Sequence, residues 1–139
     1  MKRAPVWLFD LDDTLYPERD FALSGFRAVA AHVEECHGIA GIDARMTELL
    51  DAGHLGTLFG IALAEVVPGH TKAELEALLA VYRGHAPEIA LFEDAARALA
   101  RFASRGPLGL ITDGTARMQH AKIDALGIRE TFHRIIATD

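Results

Sequence analysis

Hydrophobic positions change their period several times along the chain. Val6-Trp7-Leu8-Phe9 is an unbroken run of large apolar side chains that stops abruptly at Asp10-Leu11-Asp12-Asp13-Thr14. A run this short, bounded by polar residues, predicts a strand buried on both faces, as in a parallel sheet packed between helices. From residue 20 to about residue 87 the pattern is helical. Asp20 is the expected cap of a helix carrying Phe21, Phe26, Val29 and Val33, with Gly38 as its stop. Asp43 starts a second helix through Met46, Leu49 and Leu50 that stops near Gly53, and a third spans 55–67 before Pro68-Gly69. Thr71-Lys72-Ala73-Glu74 has the spacing of a capping box, ahead of Leu75, Leu78, Leu79 and Tyr82.

Beyond Pro87 helix and strand alternate. Glu93 and Asp94 open a helix with Ala95, Leu99 and Phe102, closed by Gly106. Residues 107–112 form a second apolar strand ending in the polar turn Asp113-Gly114-Thr115. A helix over 116–126 follows, with Gly127 as its stop, and 134–138 is a third strand. This alternation predicts an α/β fold with a parallel sheet and right-handed crossovers.

The chemistry gathers where strands end. In open α/β sheets the carboxyl ends of the strands form the ligand crevice. Asp10 and Asp12 lie two apart at one such end, and close carboxylates repel unless a cation or a shared proton relieves them. Magnesium, a hard cation that takes oxygen ligands and substrate phosphates, meets that need.

The stretch Asp10-Leu11-Asp12-Asp13-Thr14-Leu15-Tyr16 resembles the first motif of the haloacid dehalogenase superfamily, phosphatase branch. The resemblance implies a Rossmann-like parallel-sheet core over 1–15 and 92–139, an inserted all-helical cap over 16–91, and a core incomplete at its C-terminal end. It implies Asp10 as nucleophile, giving an aspartyl phosphate, and Asp12 as general acid and then base. Mg2+ would be held by the Asp10 side chain and the Asp12 backbone carbonyl, while Thr14 braces the loop. Thr112-Asp113-Gly114 stands where the second motif grips the phosphoryl group, with Gly114 allowing close backbone approach and the next helix offering its N-terminus. Asp13 is expected only to solvate or cap the loop. Lys122, inside a helix, is expected to be an exposed structural lysine rather than the phosphate-binding lysine, and that lysine and a further acidic metal ligand belong beyond Asp139.

Composition narrows the partners. The chain has 139 residues, half of them hydrophobic, and a formal net charge of −6. An acidic chain without basic clusters argues against nucleic acid or an anionic membrane as partner, and no stretch approaches a membrane span. The single cysteine, Cys36, excludes an internal disulfide and fits the cytoplasm. His32 and Cys36 stand one helical turn apart without a second ligand pair, which argues against zinc. Phe21, Arg27 and Arg83 are candidates to face a substrate. The expected function is a magnesium-dependent phosphatase acting on a small phosphorylated metabolite. A phosphomutase uses the same acids, whereas a dehalogenase would leave Asp12 idle. Two rivals are a receiver-like phospho-accepting domain, disfavoured by the long insertion after the first strand, and a catalytically impaired fragment serving as an interaction module.

Overall fold

A computed structural model describes residues 5–139. Two compact units are present: Ala86–Asp139 together with the chain up to Phe21, and Ala22–His85. The first unit is an α/β layer. Strands β1 (Trp7–Phe9), β2 (Leu108–Asp113) and β3 (Arg134–Thr138) form one parallel sheet in the order β1-β2-β3, with Phe9 opposite Leu110 and Leu110 opposite Ile135.

Only one face of this sheet is well covered. Phe102 packs on Trp7 with ring centroids 4.5 Å apart and on Phe9 at 6.0 Å, and Phe132 meets Phe9 at 6.2 Å. Leu108 and Leu110 are fully buried, each side chain contributing roughly 1.5–3 kcal/mol of transfer free energy. The alternate positions point the other way: Leu8 is 65% exposed and Ile111 41%. The expectation that the first strand is buried on both faces is therefore corrected. Side chains of a strand alternate between faces, and among the described residues helices cover one face only.

Between β1 and β2 the chain leaves the first unit and returns to it at neighbouring points, since the Phe92 N–H donates to the Leu15 carbonyl at 2.9 Å. Helix α1 (Glu18–His37) starts two residues before the expected cap Asp20. Asp13, in the left-handed region at φ 55°, turns the loop, and its Oδ1 accepts the Glu18 N–H at 2.9 Å. An Asp tolerates that conformation and satisfies an otherwise orphaned helix donor, which is the loop-capping role expected of it.

The second unit is helical. Phe26, Val29 and Val33 of α1 pack with Ile42, Met46 and Leu49 of α2 (Ile42–Asp51), Leu58, Ala62 and Leu63 of α3 (Leu58–Val66) and Leu78 of α4 (Lys72–Gly84). The capping box before α4 is complete: Thr71 Oγ1 accepts the Glu74 N–H at 3.2 Å and Glu74 accepts the Thr71 N–H at 2.6 Å. In the first unit, α5 (Glu93–Ala103) precedes β2, and α6 (Ala116–Ala125) and a 3₁₀ turn (Arg129–Thr131) lead to β3. No described helix is long and apolar enough to cross a membrane.

Candidate active site

Asp10 follows β1 directly, and Thr112 lies near the end of β2, so the parallel register brings both to the same edge of the sheet. Asp10 is exposed, and its Oδ2 accepts the Thr14 hydroxyl at 3.1 Å. The loop between them is a tight turn in which the Leu11 carbonyl accepts the amides of Thr14 and Leu15 at 3.2 and 2.9 Å.

Asp12 is the most heavily bonded group of the site. Its Oδ1 accepts Lys122 Nζ at 2.7 Å and the Tyr16 hydroxyl at 2.5 Å, and its Oδ2 accepts Gln119 Nε2 at 2.8 Å. Burial pushes the Asp12 carboxyl up, but hydrogen bonds from Lys122, Tyr16 and Gln119, with the charge of Lys122, outweigh it and hold the group below its ordinary value. The same contact raises the Tyr16 phenol: burial acts first, then the bond to Asp12 and its charge. Glu18 is also raised, by burial and then by the Asp12 carboxylate. Asp12 is thus an ionised carboxylate tied to three donors.

The lysine corrects a sequence expectation. Lys122 is not an exposed structural residue: its side chain is 5% exposed, pairs with Asp12, and lies 4.6 Å from the centre of the Phe21 ring. The inward face of α6 carries Gln119, Lys122 and Ile123, all buried, so its polar residues turn toward the strand ends rather than toward water. Phe21, a candidate substrate contact, is buried and supplies an aromatic face to this ammonium.

Gln119 joins the two motifs. The amide nitrogen that reaches Asp12 also donates to Thr112 Oγ1 at 2.5 Å, and both Gln119 and Thr112 are buried. Gly114 has φ 125°, and a Cβ there would lie 3.2 Å from Gln119 Cδ, so the amide's approach requires glycine. The Gly114 N–H donates to the Thr138 carbonyl at 3.1 Å, and Asp113, exposed, accepts the Thr138 hydroxyl at 3.3 Å. Both groups tie β2 to β3. Tyr16, Gln119 and Lys122 were not singled out from sequence as partners of the acids. Apolar periodicity carried no signal for them, because it does not mark which polar positions of a helix turn inward.

Arg27 and Arg83 are exposed in the helical unit. Cys36 Sγ lies 3.8 Å from His32 Nε2 on α1. Among the described residues, no three His, Cys, Asp or Glu side chains are grouped so as to hold a metal ion.

Residues 6–139 match the family model of the haloacid dehalogenase-like hydrolases. The chain belongs to this family. Solved structures share the fold. YfnB of Bacillus subtilis, assigned as a HAD hydrolase and crystallised with magnesium, is 20% identical with a TM-score of 0.62, over 98% of this chain and 64% of its own. A Thermotoga maritima protein assigned as a β-phosphoglucomutase is 14% identical with a TM-score of 0.64, over 95% and 60%. A 2-haloacid dehalogenase of Pseudomonas syringae pv. tomato is 20% identical with a TM-score of 0.55, over 97% and 64%. No curated protein matches the chain in sequence. The chain spans about three fifths of the length of these structures.

Proposed function

We propose that this HAD-like hydrolase is a magnesium-dependent phosphatase that hydrolyses a small phosphorylated metabolite through an aspartyl phosphate on Asp10. The observation that carries the reading is the Asp12 carboxylate, held ionised by Lys122 and linked through Gln119 to Thr112. Phosphate monoesters hydrolyse extremely slowly unaided, so splitting the reaction into two displacements is a large gain. In the first, an Asp10 oxygen attacks phosphorus, the bond to the leaving oxygen breaks, and that oxygen takes a proton from the protonated form of Asp12. In the second, water attacks the phosphorus of the aspartyl phosphate, Asp12 as carboxylate accepts the water's proton, and Asp10 is regenerated with release of phosphate. The free site holds Asp12 in the form needed for the second step. Protonation for the first competes with the Lys122 pair.

The donors suit magnesium by their chemistry. Asp10 offers an exposed hard-oxygen ligand, and Mg2+ normally keeps several waters and needs only one or two carboxylates plus substrate phosphate. In this reading the Asp10 side chain and the Asp12 carbonyl would hold the ion, since the Asp12 side chain is committed to Lys122. Bound there, magnesium supplies charge that screens the anionic nucleophile from the anionic phosphoryl group. Magnesium in the YfnB structure and the phosphoglucomutase assignment of another neighbour support this reading. A carbon–halogen displacement releases halide, which needs no proton, so a dehalogenase would have no use for Asp12 as an acid toward the leaving group.

Turnover of p-nitrophenyl phosphate with magnesium tests the proposal. Activity in the wild-type chain that vanishes in Asp10→Asn is the expected result. Activity that survives Asp10→Asn would overturn it.

A further inference from the structure

Gln119 is buried to 2% exposure in α6, yet no step of the proposed reaction uses it. Its side-chain nitrogen has two hydrogens, and both are engaged: one points to Asp12 Oδ2 at 2.8 Å, the other to Thr112 Oγ1 at 2.5 Å. A carboxylate only accepts, so the first bond is fixed in direction. A hydroxyl both donates and accepts. By donating into the Thr112 oxygen, the amide occupies its accepting side and leaves the threonine's own O–H to be donated to another oxygen.

Resting on the phosphatase reading, we infer that Gln119 is a positioning residue that sets Thr112 as a hydrogen-bond donor to a phosphoryl oxygen and holds Asp12 beside it. The chain of bonds runs from the amide to the threonine oxygen and from the threonine hydrogen to the phosphoryl group. One side chain thereby couples the acid–base group of β1's loop to the phosphate grip of β2. The position of the amide is itself enforced. Glycine at 114 leaves room for it, where a Cβ would come within 3.2 Å of Gln119 Cδ. Neither alternative at residue 119 reproduces the arrangement: a methionine fills the space without donors, and a glutamate sets a second carboxylate against Asp12.

The test compares wild type, Gln119→Met and Gly114→Ala with p-nitrophenyl phosphate as substrate and orthovanadate as a phosphoryl-shaped inhibitor. Loss of a preorganised donor at the transferring group lowers kcat more than it raises KM. The expected fall for Gln119→Met is on the order of tenfold to a hundredfold in kcat, with KM changed by less than about threefold and vanadate inhibition weakened in parallel. Gly114→Ala keeps the amide but displaces it and is expected to move the same parameters by less, which preserves the test if Gln119→Met fails to fold. A kcat and a vanadate constant within about twofold of wild type in either folded variant, while Asp10→Asn is dead, would overturn the positioning role alone. A wild-type chain that neither turns over substrate nor binds vanadate would overturn the phosphatase reading, and the inference with it.

Discussion

Replacing Lys122 with methionine is the perturbation whose size the structure fixes best. Methionine nearly matches the aliphatic stem in volume and keeps contact with Phe21, so the change isolates the ammonium. That ammonium sits 2.7 Å from Asp12 Oδ1, with side-chain exposures of 5% for Lys122 and 20% for Asp12. Breaking a buried ion pair by removing one partner typically costs about 3–5 kcal/mol, because the other charge stays buried and uncompensated. Asp12 keeps Tyr16 and Gln119 as donors and touches some water, which puts the loss near the lower limit, at about 3 kcal/mol. For a domain of this size that is a fall of roughly 10 °C in Tm. Urea unfolding followed by the fluorescence of Trp7, the single tryptophan and part of β1, reports on the unit concerned. The sign of the pH dependence follows from the direction of the Asp12 shift. Its folded value lies below its unfolded one, so the pair's stabilisation is complete above roughly pH 4 and is lost as pH falls through the folded value. Lys122→Met should therefore flatten the acid limb of the stability curve. The double variant Asp12→Asn with Lys122→Met should recover much of the loss. A single-variant cost below about 1 kcal/mol with an unchanged acid limb would refute the buried pair.

Two further outcomes follow from contacts elsewhere in the chain. Tyr16→Phe deletes a donor to a charged acceptor and should cost about 1.5–3 kcal/mol in the same urea assay, with an unchanged value dismissing the bond. Thr71→Ala opens the capping box of α4 and should cost about 1 kcal/mol, read by circular dichroism of the helical unit, whereas Thr71→Ser should cost little.

Much of this architecture was legible from apolar periodicity. The strands at 107–112 and 134–138, the six helices and the Thr71 capping box all appear close to where spacing and stop glycines put them. What was missed shares one cause. A sequence pattern reports which positions are apolar, not which polar positions turn inward. The inner face of α6 presents Gln119, Lys122 and Ile123, so two of its three buried residues read as solvent-facing. Leu8 failed in the opposite sense, since an apolar run cannot say whether a second layer lies over a given face. Asp13 was readable because its role is local: a short polar side chain in a left-handed turn five residues from the amide it caps. The acids were readable for a similar reason, their spacing along one loop being set by sequence alone.

The central claim, that Asp10 is the nucleophile, is tested most directly by trapping the intermediate. The wild-type chain is mixed with p-nitrophenyl phosphate and magnesium, quenched in acid within the first turnover, digested and analysed by mass spectrometry. The account predicts one phosphoryl group on the peptide that begins at or before Val6 and contains Asp10, removed by hydroxylamine and absent from Asp10→Asn. A phosphoryl group on any other residue, or product released while Asp10 is never labelled, would contradict it.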